Sequence, residues 1–286
     1  DNLPGALTPH LSRRVLEEIA RQIGLVVIID EFDRIGPRHA TTFADFIKSL
    51  SDHAVPCTLL FVGVGSSVSD LIAGHQSVER ALVQVPMPRM SRAELTDILD
   101  RGLQRLNLSA TPDARSMVAD LAQGLPHYAH LLGLHSVRIS ADLATSVVDE
   151  RVLLQAVRHA VDDAQQSVRT AYLSATRSPR QDNLFEQVLL SCALAETDDE
   201  GYFQPASVRD PMTRIMGRSY DIPGFARHLK NFSEAERGSV LERIGLARRF
   251  RFRFRDPLLK PFTVMKGLAD GRIDPAFLAA LRRKSA

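Results

Sequence analysis

Apolar residues recur along the chain at two periods, and the change between them divides it. Residues 9–23 set Leu11, Val15, Ile19 and Ile23 at a four-residue step, which predicts a helix. Leu25 to Ile29 form an unbroken apolar run, mostly β-branched, that suits a strand covered on both faces of a parallel sheet. Thr41–Leu50 return to the helical period through Phe43, Phe46, Ile47 and Leu50, and Thr58–Val64 repeat the buried-strand pattern. A further short strand is predicted over Ala81–Val85. From Ser91 the pattern is helical: Ser91 with Glu94 fits a capping box, Thr111-Pro112-Asp113 opens a second helix, Pro126 a third, and a longer one starts near Asp149. Residues 171–183, polar and broken by Pro179, predict a connector. Leu184–Ala195, Pro205–Gly217 and Ile222–Phe232 predict three more helices, followed by two strands at Val240–Gly245 and Leu246–Arg255. The second strand alternates strictly, with Phe250, Phe252 and Phe254 on one side and Arg249, Arg251, Arg253 and Arg255 on the other.

The first predicted strand runs directly into two carboxylates, Asp30 and Glu31. Ligands of open α/β sheets collect beyond the carboxyl ends of the strands, and paired acids there suit a Mg²⁺-nucleotide. This stretch, Leu-Val-Val-Ile-Ile-Asp-Glu, resembles the Walker B box of the AAA+ ATPases. The rest of the chain extends the resemblance to the origin-initiator and STAND-like branches: a polar turn at Gly65-Ser66-Ser67 after the second strand, Arg80 ahead of Ala81–Val85, helices from Ser91, and the tripeptide Gly124-Leu125-Pro126. The family implies ATP and Mg²⁺ as cofactors, held between core and lid. Asp30 would then organise Mg²⁺ through water, Glu31 would orient the attacking water, and Ser66 or Ser67 would serve as sensor 1. Arg80 would act as the finger that reaches a neighbouring subunit in a homo-oligomer. The Arg that usually follows the sensor 2 Pro is replaced here by His127, which can still touch a phosphate or base. Each residue also has a plainer reading: a strand-end acid pair, a helix N-cap at Ser66 or Ser67, and an Arg80 paired with Glu79 or Asp70.

No G-x-x-x-x-G-K-[ST] phosphate loop occurs in the chain, and Gly63-Val64-Gly65-Ser66-Ser67 cannot replace it because no Lys follows. The resemblance therefore implies that the phosphate loop and its strand lie upstream of Asp1. Without them, ATP affinity is expected to be poor, because the loop supplies most β- and γ-phosphate contacts. The expected fold is α/β (a partial P-loop NTPase core, residues 1–90), followed by an all-α lid at 91–175 and a winged-helix domain at 180–286.

Charge adds a second candidate surface. The net charge is only +2, yet residues 200–286 hold 18 Lys/Arg against 9 Asp/Glu, leaving 18 against 25 before them. A basic last third on an acidic body points to a module facing a polyanion. Four arginines spaced ~7 Å apart along one strand face repel one another unless anions or acids lie opposite. Three helices and a two-stranded ribbon describe a winged helix, with Ile222–Phe232 as recognition helix and Arg227, His228, Lys230 and Asn231 able to reach a groove. Double-stranded DNA is one partner this implies, through Arg227, Lys230, Arg249, Arg251, Arg253 and Arg255. A protein docked by the same module is the other, and would make the chain a STAND-type signalling scaffold with nucleotide as a structural latch. Cys57 and Cys192 sit far apart in apolar runs, as buried thiols of a reducing compartment do, so a cytoplasmic location is expected. No apolar run is long enough to span a membrane.

Overall fold

A computed structural model describes residues 8–32, 35, 37–63, 82–85, 87–179, 183–198, 200–246 and 249–285. The chain divides into two compact units, Asp1–Met87 and Pro88–Ala286.

In the first unit, helix α1 (Pro9–Gln22) starts at Thr8, whose hydroxyl accepts the Leu11 N–H, and Pro9 occupies the first turn, where its missing N–H costs nothing. Strand β1 (Leu25–Ile29), helix α2 (Pro37–Asp52) and strand β2 (Cys57–Phe61) follow. The strands pair in parallel, from Leu25 opposite Cys57 to Ile29 opposite Phe61. Inward-facing Leu25, Cys57, Leu59 and Phe61 pack with Ala20, Ala44, Ile47, Leu50 and Val55 from α1, α2 and the turn before β2. The sequence predicts strands covered on both faces, and here the structure differs. Both helices lie on one face, and Val26, Ile28 and Leu60 on the other are 62%, 63% and 43% exposed. The strand predicted over Ala81–Val85 is also corrected over its described part: among the described residues 82–85 pair with no strand, Val83 and Val85 are exposed, and Leu82 packs against the Ala44–Ile47 cluster.

The second unit is mostly helical. Helix α3 (Arg92–Gln104) begins with the expected capping box, the Glu94 carboxylate accepting the Ser91 N–H at 2.7 Å. Helix α4 (Pro112–Ala122) starts at Thr111, whose hydroxyl accepts the Ala114 N–H. The chain then turns through left-handed Gln123 and Gly124 into α5 (Pro126–Asp142). A short parallel pair, β3 (Ser109–Ala110) with β4 (Val147–Val148), ties the two loops together. Asp149 caps α6 (Glu150–Asp162). Helix α7 (Gln166–Thr176) occupies much of the predicted connector, because Val168, Tyr172 and Ala175 place a buried stripe beneath its polar residues. Next come α8 (Phe185–Ala193), α9 (Pro205–Met216) and α10 (Ile222–Phe232), then an antiparallel ribbon of β5 (Leu241–Ile244) and β6 (Arg251–Phe254).

Two final helices, α11 (Leu259–Ala269) and α12 (Pro275–Ser285), were given no element by the pattern. Helix α11 is buried on nearly every side, so it shows no one-sided stripe to read. It lies so close to α8 that a Cβ on Gly267 would stand 2.7 Å from the Leu190 side chain. One hydrophobic core runs from Leu95 to Leu278. No helix among the described residues is long and apolar enough to cross a membrane.

Candidate functional site

The strand-end carboxylates are set by a kink anchored on both sides. Val62 donates its N–H to the Ile29 carbonyl, and its own carbonyl accepts the Phe32 N–H, both at 2.9 Å. Between these anchors the Asp30 Oδ1 accepts the Glu31 N–H at 2.8 Å, and Glu31 adopts the left-handed region at φ 54°. A non-glycine residue there is strained by roughly 1–3 kcal/mol and persists only where its surroundings impose it. The imposing group is Phe32, buried to 2% exposure in an aromatic cluster with Phe43 and Phe61, at ring separations of 5.2 and 4.6 Å. As Phe32 turns inward, Asp30 and Glu31 are left exposed just past the carboxyl end of β1. Phe32 and the turned Glu31 were missed in the sequence; an aromatic directly after two acids is their only signal.

Two adjacent carboxylates supply the hard oxygen donors that Mg²⁺ takes, and one oxygen of Asp30 is already held by a backbone N–H. No group of three or more His, Cys, Asp or Glu able to hold a metal occurs among the described residues. That donor set fits an ion bound by one or two carboxylates, water and substrate phosphate better than an all-protein cage. Ser66, Ser67 and Arg80 lie outside the described residues. His127 is exposed in the first turn of α5, edge-on to Tyr128 at 5.1 Å.

The basic module separates its cations into two groups. An isolated antiparallel bridge between Phe203 and Phe252 brings Tyr202 and Asp198 alongside β6. Arg251 Nη1 pairs with Asp198 Oδ2 at 2.8 Å, and Arg253 pairs through Nη2 and Nε with Glu242 Oε2 at 2.8 and 3.2 Å. The Tyr202 ring lies under both guanidinium groups, at 5.2 and 4.5 Å, and its hydroxyl donates to Glu242. Burial, and then that hydrogen bond, raise the Tyr202 hydroxyl above its usual range. Acids thus lie opposite two of the four arginines and relieve the repulsion within the unit. Arg249 and Arg255 are exposed at the two ends of the segment. The hairpin needs Gly245, which stands at φ 93° with the Arg249 carbonyl 2.6 Å from where a Cβ would be.

On α10, Phe225, Leu229 and Phe232 face the core while Arg227 and Lys230 are exposed, Lys230 lying 3.5 Å from Glu234. His228 does not share that outward face. Its ring packs at 4.9 Å on Phe185, and its Nδ1 is buried without a hydrogen-bond partner. Burial first, then Arg227 and Arg237, hold its pKa below the ordinary value. Arg237, which the pattern did not single out, lies 3.7 Å above the same Phe185 ring and donates to the carbonyls of Ala175 and Arg177 at the end of α7.

No protein-family model matches the chain, and no curated protein matches it. Among solved structures it is similar to the Thermotoga maritima RuvB Holliday junction branch migration motor, at 12% identity over 85% of this chain and 72% of that chain, TM-score 0.43. It is also similar to Cdc6p from Pyrobaculum aerophilum, at 13% identity over 95% and 73%, TM-score 0.43. A third is the Aeropyrum pernix ORC1 protein in complex with DNA, at 13% identity over 97% and 71%, TM-score 0.42. Likenesses this loose carry no argument about fold or function.

Proposed function

We propose that the chain is part of an AAA+ ATP-dependent molecular switch that couples its nucleotide state to a winged-helix module. The observation that carries this reading is the kink after β1, which holds Asp30 and Glu31 exposed beyond the carboxyl end of a parallel strand pair. In this role Asp30 holds Mg²⁺ through water, and Glu31 orients the water that attacks ATP. Bound Mg²⁺ supplies charge neutralisation at the phosphates. The Asp30 oxygen is held by the Glu31 N–H and Glu31 stands in the left-handed region, so the two acids differ in their local setting, as their different proposed tasks require. Ser66 or Ser67, Arg80 and His127 remain the proposed sensor, finger and phosphate contacts.

The test is calorimetric titration of the native protein with ATP, with and without Mg²⁺. Asp30→Asn is expected to abolish the Mg²⁺-dependent part of binding. Equal Mg²⁺ dependence in both proteins would remove Asp30 from the site.

For the module, DNA is the first reading and protein docking the second. Arg227, Lys230, Arg249 and Arg255 stay exposed and support DNA. The pairing of Arg251 and Arg253 with Asp198 and Glu242 takes two arginines out of the phosphate-facing set and favours docking. Binding to duplex DNA that weakens steeply with salt selects the first; no salt-sensitive binding selects the second.

A further inference from the structure

The two acid-paired arginines of β6 hold their acids in different ways, and the difference lies in where each acid comes from. Arg253 stands directly opposite Glu242 in the register of the ribbon, so its partner is built into the sheet. Its Nε and Nη2 both donate to Glu242 Oε2, its Nη1 donates to the Glu200 carbonyl at 3.4 Å, and the Tyr202 ring lies 4.5 Å away. Arg251 stands opposite Ile244, which offers no charge. Its acid, Asp198, comes from outside the ribbon and accepts one hydrogen bond, from Nη1 to Oδ2 at 2.8 Å. Arg251 is also the more exposed of the two.

Asp198 does not need Arg251 to stay where it is. Its Oδ1 accepts the Tyr202 N–H at 2.8 Å, its own N–H donates to the Tyr202 carbonyl, and its carbonyl accepts the Gly201 N–H, both at 2.9 Å. A backbone turn therefore fixes the carboxylate beside β6, with one oxygen given to that turn and the other to Arg251. An exposed ion pair is weak, whereas a guanidinium can pair bidentately with a phosphate, so exchange of this single bond for a phosphate contact is favourable. Arg253, held through three donors and a ring, has no such exchange open to it.

We infer that Asp198 is an intramolecular stand-in for phosphate: duplex DNA docking along β6 takes Arg251 from it, so that Asp198 sets the affinity of the module for DNA. Arg251 then joins Arg249 as a phosphate contact, while Arg253 stays a structural cation. The inference rests on the DNA reading of the module. Binding of the full chain to a labelled duplex of mixed sequence, measured across a series of salt concentrations, tests both. Asp198→Asn is expected to bind about threefold more tightly than wild type. Asn keeps an oxygen for the Tyr202 N–H, so the turn survives; should that variant not fold, Asp198→Ser, whose hydroxyl can accept the same N–H, replaces it with the same gain expected. Arg251→Ala is expected to weaken binding and lower the salt slope by about one, and adding Asp198→Asn to it should bring no gain. Glu200→Gln removes a charge from the same turn without releasing a guanidinium, so its affinity should stay close to that of wild type. Unchanged affinity in Asp198→Asn, an equal gain from Glu200→Gln, or a gain that persists in the Arg251→Ala background would overturn the role of Asp198 and leave the DNA reading standing. No salt-sensitive binding by either wild type or Asp198→Asn would overturn both.

Discussion

The two units treat their apolar residues in opposite ways. In Pro88–Ala286 one core collects apolar residues from every helix, and Val152, Leu153, Ala156 and Val157 of α6 have no exposed surface. In Asp1–Met87 the sheet buries one face and leaves Val26, Ile28, Leu60 and Val62 exposed. A parallel pair with a bare apolar face stabilises itself far less than a bundle closed around its core. The acids proposed for chemistry thus sit in the unit with the smaller core, and the proposed partner surface in the larger one. Strain at Glu31 is held locally by Phe32, Phe43 and Phe61 rather than by the deep core.

Mutations at matched apolar positions sharpen that contrast most. Leu153→Ala should lower stability by about 3 kcal/mol in denaturant unfolding, because a fully buried side chain leaves a cavity. Ile28→Thr should change it by less than about 0.5 kcal/mol. A large loss at Ile28 would mean that its face is covered in solution. Within the basic module, Arg253→Ala should cost about 1 kcal/mol, since it strips Glu242 and Tyr202 of a partner that is itself partly exposed. Arg249→Ala should leave stability unchanged and, if the module binds DNA, reduce the salt slope of binding by about one. Reversed behaviour of the two arginines would contradict the division of the strand into acid-paired and solvent-facing cations.

The smallest effect concerns pH. His135 of α5 is 3% exposed, with His159 stacked at 5.9 Å and Asp163 Oδ2 at 3.4 Å from its Nε2. Burial lowers its pKa from the ordinary 6.5; the nearby Asp163 acts the other way, and Arg138 and His159 add to the lowering. The unfolded chain then takes up a proton before the folded one does. Stability should be full above about pH 6.5, fall as pH drops through that value, and level off only below the depressed folded pKa. His135→Gln should flatten part of this fall in melts between neutral and acid pH. His228, lowered in the same direction, accounts for acid sensitivity that remains.

Local chemistry made much of the fold legible. Capping groups at Thr111, Ser91 and Asp149 and prolines at 112 and 126 mark helix starts closely, and the alternation of Phe252 and Phe254 with Arg251 and Arg253 marks the ribbon. Long-range pairing was not legible. The Phe203–Phe252 bridge, which brings Asp198 and Tyr202 under the arginines, joins residues 49 positions apart with no local signal. Helix α11 hid because a segment buried all round has no amphipathic period. At the candidate site, the strand and its acids could be read from Leu25–Glu31, but the kink could not, since it depends on Phe32 finding Phe43 and Phe61.

The most direct test of the switch is ATP binding and turnover by native protein carrying Glu31→Gln. The predicted result is retained ATP binding with hydrolysis reduced by about 100-fold or more, as loss of a water-orienting carboxylate requires. Normal turnover in that variant would contradict the assignment of Glu31 and, with it, the reading of the kink after β1 as a catalytic device.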